Sequence, residues 1–190
     1  FILTGSSTPA KDPVTHSSAG RIARVDMSTM TLWERGLSTG AVSLSELFKG
    51  SFAPSACDTS LTSLADAICC GGWPALIDAD AQMASEIVYQ YLDAMFEVSI
   101  PRKGGTPNMA RRIVASLARN VATAATLQTI AQDASLGDDA DAPATSTVAA
   151  YLEMLEGMYV IESLHGWDAP VRVKSRLRTK PKRYFADPSI

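Results

Sequence analysis

"STVAAYLEMLEGMYVIESL", residues Ser146–Leu164, holds two kinds of secondary structure in one short stretch. Val148, Tyr151, Leu152 and Leu155 recur at three- and four-residue spacing, which predicts a helix from about Ser146 to Met158. "YVIESL" (Tyr159–Leu164) then reads as a strand. A basic loop comes next, and "RYFAD" (Arg183–Asp187) supplies a second strand. Upstream, Met109, Ile113, Val114, Leu117 and Val121 mark one helix. Leu127, Ile130 and Ala131 mark a shorter one over Ala124–Asp133. Three helices, then two strands with a basic connection, is the order of a winged helix-turn-helix. There the third helix can enter a major groove, and the loop between the strands is the wing.

Before this module, "IPRKGGTPN" (Ile100–Asn108) breaks the pattern and is the expected domain boundary. Gln82–Glu97 reads as a helix with Met83, Ile87, Tyr91 and Met95 in one stripe, broadened by Val88, Leu92 and Phe96. Leu61–Cys70 reads as another, with Leu61, Leu64, Ala65 and Ile68 on one face, stopped by Gly71-Gly72 and Pro74. "SLSELF" (Ser43–Phe48) offers Ser43 and Glu46 as a capping box. Near the N-terminus, Phe1-Ile2-Leu3 reads as the end of a buried strand running into the turn Thr4–Ser7. Ala23, Val25 and Met27 alternate with Arg24 and Asp26, the period of a half-buried strand. Two strands make no stable sheet alone, so residues 1–27 are expected to belong to a larger one. The expected fold is mainly α (α+β). Its parts are a sheet remnant over 1–27, a helical lid or linker over 28–104, and a winged-helix domain over 105–190.

The 190 residues carry a net charge of −3, unevenly spread. Residues 171–190 hold seven Lys or Arg against one acid, Asp187, so that segment is +6 and the remainder −9. Three cysteines, two of them adjacent (Cys69-Cys70), fit neither a disulfide framework nor a metal-binding pair. They suit a reduced, cytoplasmic protein with Cys69 and Cys70 as small core residues. His16 and His165 stand far apart without ligand-type neighbours, so no metal site is expected. No stretch approaches the roughly 18 apolar residues of a membrane span, and no signal peptide is evident.

The strongest chemical signal is "VRVKSRLRTKPKR", where Arg172, Lys174, Arg176, Arg178, Lys180, Lys182 and Arg183 cluster. Several alternate, so an extended segment would put them on one side, where they would attract phosphate. The third helix argues against sequence reading. Ser146, Thr147, Tyr151, Glu153 and Glu156 are available there, but no Arg, Lys, Asn or Gln, the residues that make most purine contacts. Contact with DNA would therefore be non-specific, through the wing and the helix bearing Arg111 and Arg112. No catalytic triad, nucleophile elbow or phosphate-binding Gly-Lys loop is present.

Several segments together resemble a known family: "FILTGSSTP", "AGRIARVDMSTMTLWERG", "GGWPALID", "YLDAMFEVSI", "SLARNVAT", "TVAAYLEMLEGMYVIESLHGW" and "SRLRTKPKRYFADPSI". They are similar to the end of the ATPase core and the adjoining C-terminal region in prokaryotic P-loop ATPases of the broad AAA+ type, whose members often carry a C-terminal nuclease-like domain of unknown function. The resemblance implies a parent protein that binds ATP and magnesium through a P-loop upstream of Phe1. It places Thr4 and Ser6 at the sensor position and Arg21 at an arginine that stabilises phosphoryl charge in its own or a neighbouring subunit. Thr29 stands where the family's turn has Pro, and Ser189 where its "YFxDxG" strand has Gly. The metal-binding residues of the nuclease-like domain would lie beyond Ile190, so no nuclease activity is assigned.

The function to be expected is coupling of a nucleotide core to a winged-helix module, without ATP hydrolysis by this chain alone. The partners to be expected are the ATPase core, the nuclease-like domain, non-specific DNA and further copies in a homo-oligomer. One alternative is a winged-helix DNA-binding protein using a basic wing. Another is an interaction module whose wing meets an acidic protein surface.

Overall fold

The structure, a computed structural model, describes residues 2, 4, 25–51, 53–136, 141–166 and 180–190. They are mainly helical, with one small antiparallel sheet. The helices are α1 (Leu44–Phe48), α2 (Leu61–Cys70), α3 (Ala81–Ala94), α4 (Ile100–Arg102), α5 (Pro107–Arg119), α6 (Leu127–Asp133) and α7 (Thr145–Glu156). The strands are β1 (Ile161–Leu164) and β2 (Lys182–Phe185). Contacts divide the chain into two compact units: Phe1–Ala23 with Tyr91–Ala186, and Arg24–Gln90 with Asp187–Ile190. The division at Gln90 falls inside α3.

In the unit containing Tyr91–Ala186, α5, α6 and α7 pack on one another and on the hairpin β1–β2. Ile113 of α5, Ile130 of α6, Val148 and Leu155 of α7, and Val160 before β1 are wholly buried. Burying an aliphatic side chain of this size contributes about 1.5–3 kcal/mol against exposure, so these five residues are the main source of cohesion. The strands pair with Ile161 opposite Phe185 and Leu164 opposite Lys182, and the Ala186 N–H donates to the Val160 carbonyl beyond the ladder. α7 ends in a Schellman turn. The Val160 N–H donates to the Leu155 carbonyl and the Tyr159 N–H to the Glu156 carbonyl, with Tyr159 left-handed at φ 57°. This turn takes Tyr159 out of the strand expected from "YVIESL". The helix of α3 continues through a π turn (Met95–Ser99) into α4, so the segment stays helical as far as Arg102.

In the unit containing Arg24–Gln90, the caps differ from those the sequence suggested. Ser43 precedes α1 but makes no side-chain cap, and Glu46 pairs instead with Lys49 at 2.7 Å. A reciprocal box forms at Thr31–Glu34: the Thr31 N–H donates to Glu34 Oε2 at 2.8 Å and the Glu34 N–H to Thr31 Oγ1 at 3.2 Å. Ser60 caps α2 by accepting the Ser63 N–H at 3.0 Å. Val25–Met27 form no strand and are exposed. Cys70 is buried but Cys69 is exposed, so only one of the pair is a core residue. Of the stripe Met83, Ile87, Tyr91 and Met95, the first three are exposed and Met95 is buried, as are Val88 and Phe96, which broaden it, and Ala84.

Candidate functional site

The arginines of α5 are the best-defined candidates. Arg111 and Arg119 stand eight residues apart, with Arg112, Ser116 and Asn120 on the neighbouring row. Arg111 donates to Asp93 Oδ1 at 3.0 Å and to Glu97 Oε1 at 2.9 Å, and its guanidinium lies 4.5 Å from the centroid of the Phe96 ring. Glu97 and then Asp93 push its already high proton affinity higher. The pairs are largely exposed, so each is worth at most about 1 kcal/mol, with a similar amount from the cation–π contact.

The other polar residues of α5 hold the C-terminal end of α6. Arg112 Nε donates to the Ala134 carbonyl at 2.7 Å and its Nη2 to the Asp141 carbonyl at 3.0 Å. Arg119 Nη2 donates to the Asp133 carbonyl at 2.6 Å, Ser116 Oγ to the Ile130 carbonyl at 3.1 Å, and Asn120 Nδ2 to Asp133 Oδ2 at 2.5 Å. A helix end leaves its last carbonyls without intrahelical partners and carries partial negative charge. Cations and donors there satisfy both needs.

Arg183 stands in β2 and donates through Nη1 to the Ala125 carbonyl at 3.1 Å. Its Nε is buried and has no partner among the described residues. Burial lowers its pKa, partly offset by Glu156. Lys182, which precedes Arg183 in β2, and Lys180 are exposed. The outward side of α7 carries Ser146, Ala149, Ala150 and Glu153, small and acidic, while Val148, Tyr151, Leu152 and Leu155 face the core. Tyr151 also accepts the Thr106 N–H at 2.6 Å, which fixes the start of α5. Thr4 is exposed. Ser6, Arg21, Arg172, Lys174, Arg176 and Arg178 lie outside the described residues, and so does the middle of the basic loop. The structure therefore brings Arg111 and Arg112 to neighbouring positions on α5, Arg111 to acids and Arg112 to carbonyls. It places Arg183 beside the loop before α6.

One constellation was not anticipated from the sequence. Asp187 is wholly buried. Its Oδ2 accepts the Gly72 N–H at 2.7 Å, and its Oδ1 accepts the Ser189 N–H at 3.0 Å and the Ser189 hydroxyl at 2.5 Å. Trp73 Nε1 donates to Ser189 Oγ at 3.0 Å, and the Gly72 carbonyl accepts the Met30 N–H at 2.7 Å. Both glycines are required by space. A Cβ on Gly71 would stand 1.9 Å from Asp187 Oδ1, and one on Gly72 would stand 2.2 Å from the Met30 carbonyl oxygen. The local signal was "DPS", a sequence in which Asp turns back on its own backbone two residues on. Its partner turn, marked by Gly71-Gly72, is 115 residues away, and no local pattern links the two.

Among the described residues no group of His, Cys, Asp and Glu could hold a metal ion. No helix among them is long and apolar enough to cross a membrane. No curated protein and no solved structure matches the chain. A family described as a domain of unknown function (DUF8612) matches residues 61–190, more than half of the chain, and this protein belongs to that family.

Proposed function

We propose that this chain is the coupling part of an ATP-binding, AAA+-type ATPase, linking a nucleotide core to a winged-helix module without hydrolysing ATP itself. The observation that carries this reading is how the arginines are used. Arg111, Arg112, Arg119 and Arg183 direct their guanidinium groups at carbonyls and carboxylates of the chain itself. The outward side of α7 offers Ser146, Ala149, Ala150 and Glu153, where a base-reading helix needs Arg, Lys, Asn or Gln. A three-helix body stiffened in this way suits relaying a movement better than reading a sequence. The nucleotide side of the proposal rests on the resemblance, with Thr4 and Ser6 as sensor hydroxyls and Arg21 as the phosphate-facing arginine. The sequence has no phosphate-binding loop. No catalytic step is therefore assigned to this chain.

The second reading, DNA contact through the wing, is favoured by the exposure of Lys180 and Lys182. Two assays on the purified chain separate the readings: ATP turnover, and fluorescence anisotropy with labelled duplexes of differing sequence. Coupling predicts no turnover, with duplex binding absent or weak, indifferent to sequence and abolished by salt. Tight duplex binding, weakened by salt and by Arg176→Ala/Arg178→Ala and Lys180→Ala/Lys182→Ala, would establish the DNA-binding reading instead. Turnover by the chain alone would overturn both.

A further inference from the structure

Asp187 follows Ala186 directly, yet the two residues are held by different parts of the chain. The Ala186 N–H donates to the Val160 carbonyl at 2.9 Å, extending the β1–β2 ladder by one bond. The Asp187 carboxylate instead accepts the Gly72 N–H at 2.7 Å. No residue stands between the last ladder bond and this clasp, and Pro188 restricts the Asp187 backbone to extended conformations. There is therefore no slack to absorb a displacement. A hydrogen bond is lost once donor and acceptor stand about 3.6 Å apart, so a shift of about 1 Å at Ala186 opens one bond or the other.

The connection does not end at Gly72. Its carbonyl accepts the Met30 N–H at 2.7 Å, and the Thr31–Glu34 box begins at the next residue. A Cβ on Gly72 would stand 2.2 Å from the Met30 carbonyl oxygen, so backbone lies directly on backbone there. The tail, by contrast, is lightly held. Pro188 is exposed and Ser189 and Ile190 are only half-buried. A segment fixed by a few polar bonds rather than by apolar burial opens locally, well below the free energy of global unfolding. We propose that the Asp187 clasp is a releasable relay, linking the pairing of β1 and β2 to the segment at Met30 through Gly72. It is closed when the ladder is complete and opens when the ladder frays at Ala186. The relay deepens the coupling reading, on which its purpose rests, by naming the bonds that carry the movement.

The test is amide hydrogen exchange, read residue by residue by NMR on the whole chain without nucleotide or DNA. Asp187→Ala should speed exchange of the Met30 amide on one side and the Ala186 amide on the other by about fivefold or more. Ser189→Ala, which removes the hydroxyl bonds to Asp187 and Trp73, should move both the same way and by less. It carries the same test if Asp187→Ala does not fold, which circular dichroism decides. From the hairpin side, Ile161→Val should speed the Gly72 and Met30 amides. Ile130→Val, the same trimming of a buried side chain in α6, should not. Met30 and Ala186 rates unchanged by the tail substitutions would overturn the proposal. So would equal effects of Ile161→Val and Ile130→Val, because exchange would then follow general opening of the chain. Either failure leaves the coupling reading standing, since that reading falls on ATP turnover by the chain, which these rates do not measure.

Discussion

Replacing Asp187 with Ala should open the turn at Gly71–Trp73. The carboxylate is wholly buried and accepts three hydrogen bonds, from the Gly72 N–H and from the N–H and hydroxyl of Ser189. A bond to a charged acceptor is worth about 1.5–3 kcal/mol net, and a buried N–H left without a partner costs about 1–3 kcal/mol. The two Ser189 bonds share one oxygen and can be remade to water once the tail lifts, so they add little. The loss is therefore about 3 kcal/mol, dominated by the Gly72 N–H. For a chain of this size that corresponds to a fall of about 6–12 °C in Tm by calorimetry. The Gly72 amide should exchange with deuterium roughly a hundredfold faster. Gly71→Ala provides a second arm, because its Cβ would stand 1.9 Å from Asp187 Oδ1. In wild type that methyl must displace the tail. In Asp187→Ala the carboxyl clash is gone, leaving Ser189 Oγ, 2.6 Å from that Cβ on a tail now free to move, and the strain at φ +62°. The two substitutions together should therefore cost less than their sum by about 1 kcal/mol or more. Additive losses, or an Asp187→Ala protein with an unchanged midpoint and unchanged Gly72 exchange, would refute the reasoning.

Leu155→Ala in α7 removes a wholly buried side chain and should cost about 2–5 kcal/mol, measured by denaturant unfolding. Arg112→Met leaves the Ala134 carbonyl without its Nε donor. It should lower stability by about 1 kcal/mol in the same assay and leave any duplex binding unchanged. Ala122, exposed and left-handed at φ 62°, should accept glycine with a gain of up to about 1 kcal/mol. The Thr31 amide and hydroxyl hold the Glu34 carboxyl below its ordinary pKa. A depressed carboxylate stabilises the fold above its unfolded value and loses that contribution as pH falls through the folded value. Acidification below about pH 4 should therefore shift the Thr31 amide resonance as its hydrogen bond opens, and Glu34→Gln should abolish that dependence.

Elements whose cohesion is local or periodic were legible in the sequence. α7 lies within a residue or two of the expected bounds because Val148, Tyr151, Leu152 and Leu155 carry the helix period onto the buried side. The hairpin β1–β2 was marked by two short apolar runs on either side of a basic loop. α2 has the expected bounds, but Leu61, Leu64 and Ile68, which share one face, are exposed. Periodicity finds a stripe but cannot say whether this chain or another covers it. The roles of Arg111 and Arg112 depended on carboxylates of α3 and the π turn after it and on carbonyls at and beyond the end of α6, which spacing within one helix does not reveal. The Asp187 site was least visible, since it joins a turn and a tail that share no local pattern.

That site also has a consequence for biosynthesis. The Gly72 amide and its carboxylate acceptor are separated by 115 residues of chain. At about 5–20 residues per second, the ribosome takes roughly 6–23 s after making the turn to supply Asp187. For that interval the Gly72 amide has only water for a partner in place of the carboxylate. A chaperone that holds nascent chains would find its window there, and a pause in translation late in the message would lengthen it.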